Sequence, residues 1–468
     1  MTEYTKKLCE FITKLDYSDL PTELVDKAKK LTMHVAGVAL AGRTLPTAVS
    51  ARDTARETVG KTSDWMSTMW GERGKVPMYG AIMANATAAD TMDWEDCSFT
   101  GHPSAHLITV SMAMAEAMHL SGREFLTAVI GGFELYQRIA CYIEPTTDFD
   151  TVKYGWGLGS WQIFASSVPA GKLLKCNEEQ FNLLLGGTGC STPVVNAILA
   201  LQGSDFYHLQ YAVTGLTGAM IASMAKNNRL DNIYDIMDGE SGYSMMMRGF
   251  ANKGWIDRNL GTEYLFAELL FKHWPANMWI QTPLDCLDIL RREHGFGAED
   301  IEEIWMSPTI EEREKFSWDG YLSCRDAQFS IPYCLAAFML RGEPSPDWYD
   351  ADRLNEQELL KLASVVKLDP DNRVVIADAF QMFKDGSFPV YTMRVALKNG
   401  EKHEVTLQFP KGHPKNPFDW EDVERTFRGG ARAAGLSREK TDQFVALCKE
   451  LECLEDLAPL AECLSADD

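Results

Sequence analysis

The chain has 468 residues, 46% hydrophobic and 24% charged, the balance of a folded globular protein with more than one core. A formal net charge of −22 argues against nucleic acid and anionic membrane as partners, since both repel an acidic surface. Eleven cysteines without CxxC or Cys/His ligand spacing read as reduced thiols, and the first residues lack the apolar stretch of a signal peptide; a cytoplasmic protein is expected.

Residues 4–15 carry Leu8, Phe11, Ile12 and Leu15 at helical spacing. Pro21 opens a second helix reaching about Ala41, and His34 beside its apolar face is expected to be a core histidine. A small-residue helix from Ala84 then runs into Asp93, Glu95 and Asp96. Gly101 and His102 follow, and Pro103 opens another apolar helix to Leu120. Burying charge without a partner is costly, so acids and a histidine at a helix junction ask for a specific purpose. Further helices are expected over 124–143, after the Asn177–Gln180 capping box, over 207–225 and over 233–247. No alternating strand is legible before about residue 265.

The pattern changes near Trp274-Pro275-Ala276. Thr282-Pro283 reads as an N-cap and first helical residue, 301–310 as a strand, and 327–340 as a helix offset by Pro332. The strongest strand signal is a hairpin, Tyr391–Leu397 and Val405–Phe409 alternating on either side of Asn399-Gly400. After a linker over Gly412–Pro417, Asp419 is expected to cap a closing helix, and Phe444, Leu447, Cys448 and Leu451 form a later apolar stripe. The expected fold is mainly α: a large all-helical domain built from both chain ends, residues 1–268 and 411–468, with an inserted smaller α+β lid domain, residues 269–410.

Asp93 and Asp96 share a helical face if the helix persists that far, and a junction can turn His102 toward them. An acid–imidazole set of this kind suits proton abstraction and return. The alternative is that the acids solvate a helix end while His102 caps the next helix. Gly155–Gly159 lacks GxGxxG spacing and follows no strand, which speaks against dinucleotide binding; Tyr154 beside it is a candidate phenolic acid or base. Lys272, between Phe271 and His273, is suited to hold a carboxylate or to act as acid–base. No metal-ligand, phosphate-loop or nucleophile-elbow motif is present, and neither metal nor cofactor is expected.

The run Met92–Asp96 followed by His102-Pro103-Ser104-Ala105 closely resembles the MmgE/PrpD family. The likeness extends over Ser121–Leu126, Gly132-Phe133-Glu134, Ala170–Leu174, Phe271-Lys272 with Pro275-Ala276, and Gly412–Pro417, nearly the whole chain. It implies a helical domain with an α+β lid, a homodimer, and a cofactor-free cleft that removes a proton next to a carboxylate of a small organic acid. By position it implies catalytic roles for Asp93, His102 and Lys272. Grouped around them as substrate contacts are Asp96, Cys97, Trp156, Gly157, His208, His273 and Asn277. Four positions depart from the family pattern: Cys97 stands for threonine, Gly157 and Asn277 for histidines, and Asp205 for lysine. With Trp156, Trp161, Trp274 and Trp279 nearby in sequence, the departures lead to an expected substrate that is flatter and less highly charged. Dehydration is the leading expected activity, epimerisation or isomerisation by two bases the second, and a non-catalytic binding protein the third.

Overall fold

The computed structural model describes residues 3–143, 155–193, 203–227, 236–238, 242–248 and 253–467. The helix Thr22–Gly42 is buried almost all round beyond its first turn, as befits a helix surrounded by others. His34 on it is a core residue, as expected: its Nε2 lies 2.9 Å from the Trp94 carbonyl and its ring stacks on Phe271. The helices Met78–Asp90, Ser104–Ala117, Gly122–Ile143, Phe164–Leu173 and Phe206–Asn227 complete the surrounding bundle.

The closing helix Trp420–Ala433 begins where Asp419 accepts the Asp422 N–H at 2.9 Å, so the expected cap is present. It crosses Thr22–Gly42 backbone on backbone: a Cβ on Gly37 would stand 2.6 Å from the Phe427 Cα. One apolar core therefore takes residues from both chain ends, from Leu8 to Phe271 and from Phe418 to Leu464. A second core is built mainly between Leu265 and Leu397, and it also receives Met92, Trp94, Cys97 and Phe99.

The second core is backed by a four-stranded sheet in the order Lys402–Leu407, Tyr391–Leu397, Ile301–Ser307, Val366–Leu368. The first two form the expected hairpin, with Tyr391 opposite Leu407 and Ala396 opposite Lys402. Tyr391–Leu397 buries every second side chain, which is why its sequence alternates. Ile301–Ser307 pairs antiparallel with that strand and parallel with Val366–Leu368.

Several boundaries differ from expectation. Short strands do occur before residue 265: Met66–Thr68 pairs with Lys75–Pro77, and Asp96–Cys97 pairs with Leu270–Phe271. Two or three residues are too few for alternation to show. The helix expected to start at Pro283 with Thr282 as its cap begins two residues earlier, at Gln281, following a turn capped by Asn277, so Thr282 lies inside it. The strand expected over 301–310 divides at Pro308, and its second piece, Thr309–Ile310, pairs elsewhere with Arg373–Val374. The helix expected over 327–340 is two helices, Cys324–Gln328 and Ile331–Arg341, with Pro332 in the first turn of the second. Of the helix expected over 233–247, residues 236–238 form a turn instead, and the helical part among the described residues is Tyr243–Arg248. No helix among the described residues is long and apolar enough to cross a membrane.

Candidate active site

After Met78–Asp90 the chain turns at Thr91 and Met92 and reaches a two-residue strand at Asp96–Cys97, so Asp93 and Asp96 do not share a helical face. Asp93 itself sits at φ +50°, a left-handed conformation that aspartate tolerates better than most residues. Met92, Trp94, Cys97 and Phe99 drive into the second core and anchor the segment. Asp93, Glu95 and Asp96 are nonetheless fully buried, which overturns the alternative of acids solvating a helix end.

What compensates the buried charge is Lys272. The two-residue pairing of Asp96 with Phe271 and Cys97 with Leu270 carries the lysine alongside the acids. Its Nζ donates to Asp93 Oδ1 at 2.7 Å and to Glu95 Oε1 at 3.4 Å, with all three side chains sealed from solvent. Burial alone would deprotonate Lys272, but the carboxylate of Asp93 outweighs it and holds the ammonium charged. Asp93 is pushed up by burial and pulled down further by Lys272, so it is the ionised partner. Burial, with the charge of Asp93 beside it, raises Glu95 well above the carboxylate range against the opposing pull of Lys272, which favours its neutral form. Oxygens of Asp93 and Glu95 and a nitrogen of His102 lie within 4.8 Å of one another, a spacing a cation can bridge. The Lys272 ammonium already meets that need for positive charge.

His102 presents Nδ1 to the Asp96 carbonyl at 2.8 Å. A carbonyl only accepts, so Nδ1 carries the proton and Nε2 keeps its lone pair. Burial first, and then the charge of Lys272, lower the imidazole to about 4, so it is neutral at physiological pH. Among the described residues Nε2 has no hydrogen-bond partner. Asp96 is used differently: Oδ1 accepts the Ser104 N–H at 3.1 Å and the Ser104 hydroxyl, holding the start of Ser104–Ala117. Burial places Asp96 at about 7 despite those bonds.

A second buried pair lies beside the first. His208 Nδ1 is 2.5 Å from Asp90 Oδ2, and its Nε2 is 3.1 Å from Gln328 Oε1. Gln328 donates its amide to the Thr91 carbonyl at 2.8 Å, which fixes Oε1 toward the imidazole. The Nε2 proton is therefore required, and the Asp90–His208 contact shares one further proton. Burial raises Asp90, as does Asp93, and burial lowers His208; both shifts favour the proton on Asp90. Glu95 stands in the acid run noted in the sequence but outside the candidate set, and Asp90 and Gln328 are not candidates there. The signal for Asp90 is that it is the one charged residue of the helix Met78–Asp90.

The remaining sequence candidates are dispersed. His273 turns away to Asp285, 2.8 Å distant, and is partly exposed. Cys97 directs its thiol at Met278 Sδ, 3.0 Å away, and burial keeps it protonated. Gly157 serves the Gly157–Ser160 turn, and Trp156 packs half-buried on the helical core. Asn277 accepts from Arg313 Nε at 2.9 Å. Tyr154 lies outside the described residues. The other three tryptophans are spent on packing: Trp161 bonds the Thr100 carbonyl, Trp274 bonds Asp285, and Trp279 sits between Phe380 and Phe388. They give no flat apolar lining to the site.

The sequence matches known proteins along its length. The MmgE/PrpD N-terminal domain pattern covers residues 6–253 and the MmgE/PrpD C-terminal domain pattern residues 274–451. The chain is similar to cis-aconitate decarboxylase of Homo sapiens, 23% identical over 479 residues, covering 98% of this chain and 94% of that protein. It is 20% identical to the cis-aconitate decarboxylase-like protein oryM of Aspergillus oryzae, covering 99% and 97% of the two chains. To cis-aconitate decarboxylase of Aspergillus terreus it is 19% identical, covering 98% and 96%. With both domain patterns found in order across most of its length, the chain belongs to the MmgE/PrpD family.

Proposed function

We propose that the protein is a lyase that removes a proton α to a carboxylate or carbonyl of a small organic acid, most directly a dehydratase. The observation that carries this reading is a neutral His102 with an unpartnered basic Nε2, placed beside the fixed ammonium of Lys272. His102 takes the proton, and Lys272 stabilises the negative charge that develops on the enolate oxygens. Glu95, kept neutral by burial, is the acid available to protonate a departing hydroxyl. Asp93 works through Lys272, holding it charged and in place. The reading needs no cofactor, since the cation is supplied by the chain.

The names of the similar proteins favour a variant in which the bond to a carboxylate breaks instead of a C–H bond: carbon dioxide leaves, its bonding pair stays on carbon as the same kind of stabilised carbanion, and that carbon is then protonated. Epimerisation or isomerisation requires a second base on the opposite face, for which Asp90–His208 is the available pair. A panel of hydroxy-, amino- and unsaturated di- and tricarboxylates, incubated in D₂O and read by mass, separates the outcomes. Loss of water supports the dehydratase and loss of carbon dioxide the decarboxylase. Deuterium gain without loss of either supports epimerisation or isomerisation. Ligand binding with no change in any compound leaves only a binding protein.

The two apolar cores support reading residues 269–410 as a lid over a helical body. An exposed apolar stripe on Phe206–Asn227 supports a homodimer, and the acidic charge argues against nucleic acid and anionic membranes as partners while admitting a small anion only at a local cationic site.

A further inference from the structure

Two buried or half-buried arginines stand close to the acid–lysine cluster and are not spent on it. Arg313 is 6% exposed, and its guanidinium lies 4.8 Å from the centre of the Phe329 ring. Arg325 lies 3.7 Å from the same ring and 5.8 Å from Tyr207. The two cations therefore share one aromatic platform and feel each other: Arg313 is lowered to about 10, first by burial and next by Arg325. Like charges held together out of water are unfavourable unless an anion joins them.

The chain supplies little of that anion. Arg313 bonds neutral groups, the Asn277 side chain and the Glu312 carbonyl, and meets only the outward-facing Glu312 carboxylate, 3.8 Å away. Among the described residues no carboxylate pairs with Arg325, and its buried Nε has no partner. Asp205 and Asp326 are close in sequence or space but are engaged otherwise: Asp205 accepts the Arg325 backbone N–H, and Asp326 pairs with Lys315. In a chain carrying 67 acidic residues, leaving two adjacent guanidiniums so poorly matched is a specific arrangement.

Their position ties them to the proton-handling groups. Asn277, which orients Arg313, also donates its backbone N–H to the Gln328 carbonyl, and the Gln328 side chain faces His208. Tyr207, under Arg325, packs edge-on against His208. The charge of Asp93 acts on both guanidiniums.

We propose that Arg313 and Arg325 form an anion subsite for a carboxylate of the substrate remote from the reacting carbon, so that the substrate is at least a dicarboxylate. This rests on the lyase reading for the identity of the ligand as substrate. Guanidinium forks match carboxylate oxygens in pairs, and two forks on one ring fix both position and angle. Asn277 is then a positioning residue for Arg313, and the expectation of a less highly charged substrate is reversed.

The test is calorimetric binding of succinate, fumarate and maleate and of their monoamides to the full chain. Wild type is expected to bind at least one diacid more tightly than its monoamide, and Arg325→Gln to weaken that diacid roughly 10- to 100-fold while sparing the monoamide. Arg313→Lys, which keeps charge but loses the fork, is expected to weaken the same diacid and to keep a wild-type melting temperature. A wild type with no diacid preference, or a preference unchanged in both folded variants, overturns the subsite. Arginine-dependent binding without turnover of any acid leaves the subsite standing and ends the lyase reading. Turnover indifferent to Arg325→Gln does the reverse.

Discussion

In the proposed reaction Lys272 joins stability to chemistry: its ammonium neutralises Asp93 and is the cation proposed to face the substrate. Removing one partner of a buried ion pair strands the other, at a cost of about 3–5 kcal/mol. Lys272→Met and Asp93→Asn are each expected to lower unfolding free energy on that scale, and the double variant by clearly less than their sum. Urea denaturation of all four proteins checks this; simple additivity would show that the two side chains are not energetically coupled. His102 gives a second expectation at the same scale. Its folded value of about 4 lies below the free value of 6.5, so the base stays unprotonated until pH falls toward 4. The acid limb of kcat/KM is then expected near pH 4, with circular dichroism used to show that the protein is still folded there. A limb centred near 6.5 would remove His102 as the base. Asp93, His102 and Lys272 were legible because they stand in compact motifs. Asp90–His208 and Arg313–Arg325 were not, because each is made by folding: the first joins residues 118 apart, and the second needs Phe329 as its platform.

The element that sets Lys272 beside the acids is a pairing of only two residues per strand, Asp96–Cys97 with Leu270–Phe271. It is supported from its other side by Gly412, which accepts the Phe271 N–H at 3.0 Å. Gly412 has φ +93°, and a Cβ there would run into the Phe271 carbonyl. Gly412→Ala is expected to destabilise by about 2 kcal/mol or more and to lower kcat as Lys272 shifts. Gly400 in the hairpin turn is a matched control, with φ +92° and open space around it. Gly400→Ala is expected to cost about 1 kcal/mol and leave kcat alone. Equal effects of the two on stability and kcat would mean that Gly412 matters only through its φ. The hairpin was legible because seven residues alternate and Asn399-Gly400 marks the turn, whereas the pairing that builds the site has no periodicity to read. The helix Cys324–Gln328, which carries Arg325 and Gln328, is five residues long, too short for a helical period to show, and only its last two residues fall within the helix expected over 327–340.

Across the whole molecule, the helix Phe206–Asn227 faces two ways. Its inward side carries Tyr207, His208 and Tyr211, all buried at the site, while Phe206, Val213, Met220 and Met224 are 43–56% exposed. At about 100° per residue these four fall in a stripe roughly 40° wide, an arrangement with no use for a helix that faces only water. Large apolar side chains gathered in one patch mark a surface that another surface covers. A stable pair buries about 800 Å² on each side, so the stripe is the centre of such a patch and not its whole extent. A second copy of the chain is the proposed occupant, and because His208 sits on the same helix, association is expected to steady the site. Val213→Glu with Met220→Glu puts two carboxylates on the stripe in each copy, and these would repel across a symmetric contact. Sedimentation velocity is expected to show a dimer for the wild type and a folded monomer for the double variant, with reduced turnover of any acid the wild type accepts. A wild type that sediments as a monomer would remove the dimer, and a double variant that remains a dimer would move the interface to another face.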